Sequence, residues 1–163
     1  MPTSMHNTIV LRDVVENDLP ILFEFQKEPG ASRMAAFLSR DPSDHSAFLA
    51  HWRRILSDPT VIMKAVLWKG RVAGSVGSFL WDGKPQVTYW IGKEFWGNGV
   101  ATLALTEFLR VVNKRPLYAS TAKDNAASIR VLEKCGFEMR GSAKAFAKTR
   151  GAEIDEVFFE LAP

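Results

Sequence analysis

The stretch that most constrains this chain runs from Gln86 to Leu109, where QVTYWIG passes into KEFWGNGVA and then TLALTEFL. Alternation of Val87, Tyr89 and Ile91 predicts a strand. Val100, Ala104, Phe108 and Val111/Val112 recur at helical spacing and predict a helix with one apolar face. Between the two lies Gly97-Asn98-Gly99. Glycines at such a junction let backbone N–H groups approach an anion, and the helix dipole adds to the attraction. The expectation is a diphosphate site. Two familiar diphosphate motifs are excluded: Thr102 stands where G-x-G-x-x-G has its third glycine, and no Gly-Lys-Ser/Thr is present in the loop.

The rest of the pattern sets the fold class. Ile9 to Val14 reads as a first strand, and Asn17-Asp18 offer cap oxygens to a helix carrying Pro20, Leu22, Phe23 and Phe25/Gln26. Glu28-Pro29-Gly30 is expected to stop it, with Ala31 to Pro42 less regular. A second helix from Ser43 or Asp44 carries Phe48, Trp52 and Ile55/Leu56 and ends at Ser57-Asp58-Pro59. Val61–Trp68, Val72–Leu80 and Gln86–Ile91, joined at Lys69-Gly70 and Asp82-Gly83, predict an antiparallel meander. After the central helix come a strand at Leu117–Thr121 and a helix at Ala126–Lys134, capped by Asn125 and closed by Gly136. A last hairpin pairs Met139–Ala147 with Ile154–Leu161. A meander followed by β-α-β-α is an α+β arrangement, unlike the parallel units that carry Rossmann and Walker loops.

Composition narrows the function. At 163 residues, 47% hydrophobic and 24% charged, the chain reads as one globular domain spanning 1–163. No apolar run reaches the roughly 18 residues of a membrane helix, and MPTSMHNT lacks the pattern of a secretory signal. One cysteine excludes an internal disulfide, so a cytoplasmic protein is expected. The net charge of +3 is spread along the chain, which speaks against a nucleic-acid surface. His6, His45 and His51 share no ligand spacing, so no metal is expected. Cys135 and the aromatics Phe23, Phe25, Phe37, Trp52, Trp81 and Trp90 read mostly as core.

A second motif follows the glycine-turn helix by one strand: DNAASIRVLEKCGFE, with Asn125, Ser128, Lys134, Gly136 and Phe137 in order. With Tyr89 to Leu109, it resembles the GNAT superfamily of N-acetyltransferases. The element order of the whole chain is similar to that fold, a mostly antiparallel sheet of about seven strands flanked by about four helices. Tyr89-Trp90-Ile91-Gly92 followed by Trp96-Gly97-Asn98-Gly99-Val100-Ala101-Thr102 most resembles the branch that acetylates ribosomal-protein N-termini, which also holds small-amine acetyltransferases. The resemblance implies acetyl-CoA as co-substrate, with its diphosphate on Gly97 to Thr102. It also implies a pantetheine arm paired along the strand ending Trp90-Ile91-Gly92, where a backbone N–H near Ile91 could stabilise the oxyanion. Asn125 and Ser128 match positions facing the thiol end, so both are candidate catalytic residues as well as cofactor contacts. Each also has a plainer reading, as a helix cap and a solvated hydroxyl. The acceptor would be a primary amine, either a protein N-terminus or a small molecule. Some of the aromatics Phe23, Phe25, Phe37, Trp52, Trp81 and Trp90, with Met34 and Arg33, are expected to line the acceptor site, one wall of which the family builds from its first helices.

Three departures qualify the resemblance. Trp96 opens the glycine loop in place of the common Gln or Arg, as in the branch named. The usual tyrosine acid is Leu132, which leaves Ser128 to protonate the thiolate, and the usual glutamate of the fourth strand is Gln86. Glu94, Asp82 and Glu24 are the substitute bases to examine. These losses keep an alternative open, a non-catalytic acyl-CoA sensor on the same fold. The C-terminal hairpin edge could pair two subunits.

Overall fold

The structure, a computed structural model, describes residues 8–36 and 41–163. Phe37, Leu38 and His6 lie outside the described residues. Strand β1 (Ile9–Asp13) leads into helices α1 (Leu19–Lys27), α2 (Pro29–Ala35) and α3 (His45–Leu56). The meander follows as β2 (Ile62–Trp68), β3 (Arg71–Trp81) and β4 (Lys84–Ile91). Then come α4 (Val100–Val111), β5 (Leu117–Ala122), α5 (Ala126–Lys134), β6 (Glu138–Ala147) and β7 (Ala152–Leu161). They form one seven-stranded sheet in the order β1-β2-β3-β4-β5-β7-β6, antiparallel except at β4–β5. This is the expected mixed α+β class.

Strand alternation assigns the two faces. Gly74, Val76 and Ser78 of β3 stand beside Ile91, Tyr89 and Val87 of β4. That face is covered by α4, whose Val100, Ala104, Leu105 and Phe108 are buried, and by α5. Ser75 and Gly77 stand beside Trp90 and Thr88 on the opposite face, which α1 and α3 roof with Leu22, Phe48 and Trp52. Tyr118, the β5 partner of Gln86, continues the second face, and so do Ser120 and Ala122 with their β7 partners Phe158 and Glu156. Burying Val100, Leu105 and Phe108 at about 1.5–3 kcal/mol each holds the helix on the sheet.

Four details differ from the sequence reading. The first helix stops at Lys27, before Glu28-Pro29-Gly30, as expected, but the segment read as less regular opens with a further helix: Pro29 starts α2, because Pro suits a first turn and the Glu28 carboxylate accepts the Gly30 N–H at 2.7 Å. The sheet is therefore flanked by five α-helices among the described residues, one more than expected. Val111 is 61% exposed, since the helix turns it away from the stripe set by Val100, Ala104 and Phe108. Trp81 is 71% exposed at the end of β3, beside the Asp82-Gly83 turn, and is not core.

Asp18 does not cap α1 with its side chain. Its carboxylate takes a forked bond from Arg12 at 2.7 and 2.9 Å and the Val15 N–H at 2.9 Å, fastening β1 to the first helix. The bond from Arg12 is the main reason its carboxyl is held below the usual range, although burial opposes it. Stability from this pair is therefore complete above the ordinary carboxylate pKa and lost as pH falls through the lowered value. Asp18→Asn should cost about 2–3 kcal/mol at neutral pH and flatten the loss of stability below about pH 4; urea unfolding at pH 7 and pH 3 checks both. Equal midpoints for variant and wild type at pH 7 would refute it.

Candidate active site

The site begins where β4 and β5 separate. These parallel neighbours share a single bridge, Gln86↔Tyr118. Gly92 N–H donates to Ala73 O at 2.9 Å, so in this register Trp90 exchanges its bonds with Ser75. The N–H groups of Tyr89 and Ile91 consequently point toward β5, into the widening gap. Gly92 itself has no N–H to spare, and its backbone approaches Phe25 so closely that a Cβ would lie 2.6 Å from the ring.

The gap opens into a cleft of about 660 Å³ bordered by Tyr89, Trp90 and Ile91, by Gly97, Gly99, Val100, Ala101 and Thr102, and by Asn125 and Ser128. At its mouth Gly99 occupies the N-cap of α4 in the left-handed region (φ 74°) and has no side chain to cap the helix. The first-turn donors of a 12-residue helix therefore face the cleft without a side-chain acceptor, as an anion site requires. A Cβ on Gly97 or Gly99 would meet no atom within 4 Å, so both glycines are needed for their positive φ and for open space. Arg130 and Lys134, from α5, border the same cleft and make no ion pair among the described residues. The sequence reading passed over Arg130. Its spacing of four from Lys134 on one helix face was the available signal.

Trp96 and Asn98 serve the loop itself. Trp96 Nε1 donates to Ile91 O at 2.8 Å, clipping the glycine loop to the end of β4. Asn98 Nδ2 donates back to Phe95 O at 3.1 Å, and Asn98 does not border the cleft.

Asn125 and Ser128 are brought together at the inner end. Asn125 Oδ1 accepts the Ser128 N–H at 3.2 Å as the cap of α5, while its Nδ2 lies 3.5 Å from Met34 O. Arg150, nearly buried, donates to Arg33 O at 2.9 Å and to both Asp124 oxygens at 2.7 and 3.0 Å. This bolts α2 onto the loop that carries Asn125. Met34 borders the cleft, whereas Arg33 does not.

A residue not singled out for chemistry stands beside Ser128. The Tyr89 hydroxyl is 2.6 Å from Ser128 Oγ. Burial pushes its pKa up to about 12, against a smaller lowering by Ser128, so it keeps its proton through the neutral range. Its phenol thus reaches the cleft from β4, whereas Leu132, at the usual tyrosine position on α5, is a buried core residue that also borders the cleft. A Tyr with a polar tip on the apolar face of a strand was the sequence signal.

A second cavity of about 390 Å³ lies on the α1/α3 face, bordered by Leu22, Phe48, Trp52, Ile55 and Phe79. It shares only Thr88, Tyr89 and Trp90 with the cleft. The indole N–H of Trp90, at this junction, is buried without an acceptor. Of the substitute bases, Glu94 pairs with Arg71 and Glu24 with Lys27, and neither they nor Asp82 borders either cavity. Cys135 is half-buried against Thr106, and burial raises its thiol pKa, which suits a structural role. Among the described residues no cluster of His, Cys, Asp and Glu could hold a metal ion.

The sequence pattern of the acetyltransferase (GNAT) domain family matches residues 8–138, most of the chain. The chain is a GNAT acetyltransferase. A curated relative, "Putative ribosomal N-acetyltransferase YdaF" of Bacillus subtilis, is 27% identical over 136 residues, covering 77% of this acetyltransferase and 74% of the relative. The fold matches the ribosomal L7/L12 alpha-N-protein acetyltransferase RimL in complex with coenzyme A, at TM-score 0.78 and 18% identity over 95% of this chain and 94% of that one. It also matches the spermidine N-acetyltransferase of Vibrio cholerae in complex with CoA and spermine, at TM-score 0.75 and 16% identity over 94% and 95% of the two chains. The acetyltransferase therefore uses acetyl-CoA as co-substrate, and the uncapped α4 start with its two open glycines fits a diphosphate.

Gly99→Ala should weaken acetyl-CoA binding about tenfold or more, because the strained φ, costing roughly 1–2 kcal/mol, tilts the first-turn donors. Gly70→Ala is the matched control, with φ +78° in the open β2–β3 turn, away from the cleft. Calorimetric titration should show affinity lost in the first variant alone. Equal affinities would remove the diphosphate from this loop.

Proposed function

We propose that this acetyltransferase moves the acetyl group directly from acetyl-CoA to a primary amine, a protein N-terminus or a small molecule, that carries an apolar body. The observation behind this reading is the shared wall Thr88–Tyr89–Trp90 between the two cavities. A thioester in the cleft and an amine in the second cavity would meet there from opposite faces of the sheet, with no covalent enzyme intermediate needed. The N–H of Ile91 faces the gap and is the candidate oxyanion donor. Acceptor chemistry follows from the second cavity. Phe48, Trp52, Ile55 and Phe79 line it, and its one carboxylate, Asp58, is occupied by Thr60 N–H and hydroxyl at 2.9 and 2.7 Å. A polyamine would need more negative charge than that.

Ser128 is the group we assign to the departing sulfur. Tyr89, protonated at neutral pH, can donate to Ser128 Oγ and free the serine proton for the thiolate. Asn125 positions Ser128 through its cap bond and takes no proton. No described helix is long and apolar enough to cross a membrane, which accords with work in the cytoplasm on a free amine. A single domain over 1–163 fits solved folds that align with nearly the whole chain. Pairing through the outer strand β6 would give a homodimer.

Two measurements test the reading. Thiol release from acetyl-CoA should be at least about tenfold faster, as kcat/KM, with 2-phenylethylamine or an apolar dipeptide amide than with spermidine; a preference for spermidine would refute the apolar acceptor. Tyr89→Phe and Ser128→Ala should each lower kcat about tenfold with unchanged acetyl-CoA affinity, and the double variant should be no slower than either. Losses that multiply would mean that the two hydroxyls do not act as a unit.

A further inference from the structure

The usual glutamate of β4 is Gln86, and the substitutes closest in sequence lie outside both cavities. Among the described residues one carboxylate borders the cofactor cleft, that of Glu156 on β7. It pairs in register with Ala122 of β5 and Ala143 of β6. Strand parity puts it on the same sheet face as Ser120, Thr88 and Trp90, the acceptor side of the β4–β5 gap. The ladder beside it continues as Lys123 N–H donates to Asp155 O at 2.9 Å, one turn before Asn125. Ser128 and Tyr89 approach the gap from the other face.

Glu156 is half-buried, and its side chain makes no hydrogen bond or ion pair among the described residues. Its neighbours are otherwise committed. Asp155 pairs with Lys144, and Asp124 is held by Arg150. In the acceptor cavity Asp58 is spent on Thr60, whose hydroxyl and N–H hold its carboxyl below the ordinary range. A carboxylate with free lone pairs, half out of water and facing the reacting gap, has the features of a general base.

We propose that Glu156 is the catalytic base of acetyl transfer, a reading that rests on the direct mechanism of the preceding subsection. Glu156 takes a proton from the acceptor's ammonium group. The freed nitrogen lone pair forms the N–C bond to the thioester carbonyl, the C–S bond breaks as Ser128 gives its proton to sulfur, and the second proton shed by nitrogen passes through solvent to restore the Ser128 hydroxyl. An ammonium, a thioester and a carboxylate become an amide, a thiol and a carboxylic acid. The base thus comes from β7 rather than β4, on the acceptor's side of the sheet.

The test is Glu156→Gln, which keeps size and polarity and removes basicity. Thiol release from acetyl-CoA is measured with 2-phenylethylamine, protonated at pH 7.5, and with hydroxylamine, already neutral there. The variant should lose about 100-fold in kcat/KM with 2-phenylethylamine, while hydroxylamine turnover and calorimetric acetyl-CoA affinity stay within about threefold. Wild-type rates with 2-phenylethylamine would overturn the assignment. Equal losses with both nucleophiles would overturn it too, making Glu156 structural. If the wild-type protein accepts spermidine but not 2-phenylethylamine, the apolar-acceptor reading fails by itself, and the variant is compared on spermidine by the same criteria.

Discussion

The structure depends on two parallel strands that touch once and then part. A parallel pair normally runs its ladder to the strand ends, since each unpaired N–H or C=O in a sheet interior forfeits a bond. Here β4 and β5 are joined at Gln86↔Tyr118 alone. Their separation is held from outside. The α4 stripe packs beneath β4, α5 inserts Leu132 and Val131 behind the gap, and the Tyr89–Ser128 bond ties the two walls together. Backbone groups thus left open are available to a ligand that would pair as a strand does. The glycine loop, clipped to Ile91 O by Trp96, aligns its phosphate donors with that missing strand.

Around this gap the chain divides its chemistry by sheet face. One face carries the cofactor's helix N-terminus and the paired hydroxyls of Tyr89 and Ser128. The other carries the apolar cavity under α1 and α3, and Glu156 borders the cleft from that same face. In the proposed mechanism the proton reaches sulfur from one side of the β4–β5 gap and leaves nitrogen on the other. Packed layers of this kind place such groups more firmly than loops do.

Much of this was legible in the sequence, for identifiable reasons. Strands β2 to β4 were readable because Lys69-Gly70 and Asp82-Gly83 mark their turns, and both Lys69 and Asp82 adopt positive φ. Asn125 and Gly136 bracketed α5 correctly because a cap and a left-handed C′ glycine are local chemistry. Local chemistry gave only half of the next junction: Glu28-Pro29-Gly30 does stop α1, and the Glu28 carboxylate turning onto Gly30 N makes the same residues the start of α2. Asp18 looked like a cap because Arg12, six residues earlier in another element, was invisible as its partner. Tyr89 and Glu156 were missed for the same reason. Their roles arise from partners 39 residues away in one case and from sheet register in the other.

The narrow junction between the cavities bears on how such a protein diversifies. Among the described residues, only Thr88, Tyr89 and Trp90 are common to both chambers. Phe48, Trp52, Ile55 and Phe79 touch the second chamber and not the first. In the proposed reading, substitutions among them would reshape what is accepted while the residues around the acetyl donor stay unchanged. Selection can therefore explore new acceptors along one wall while the donor half stays fixed, and a designer who exchanges α3 side chains works along the same seam.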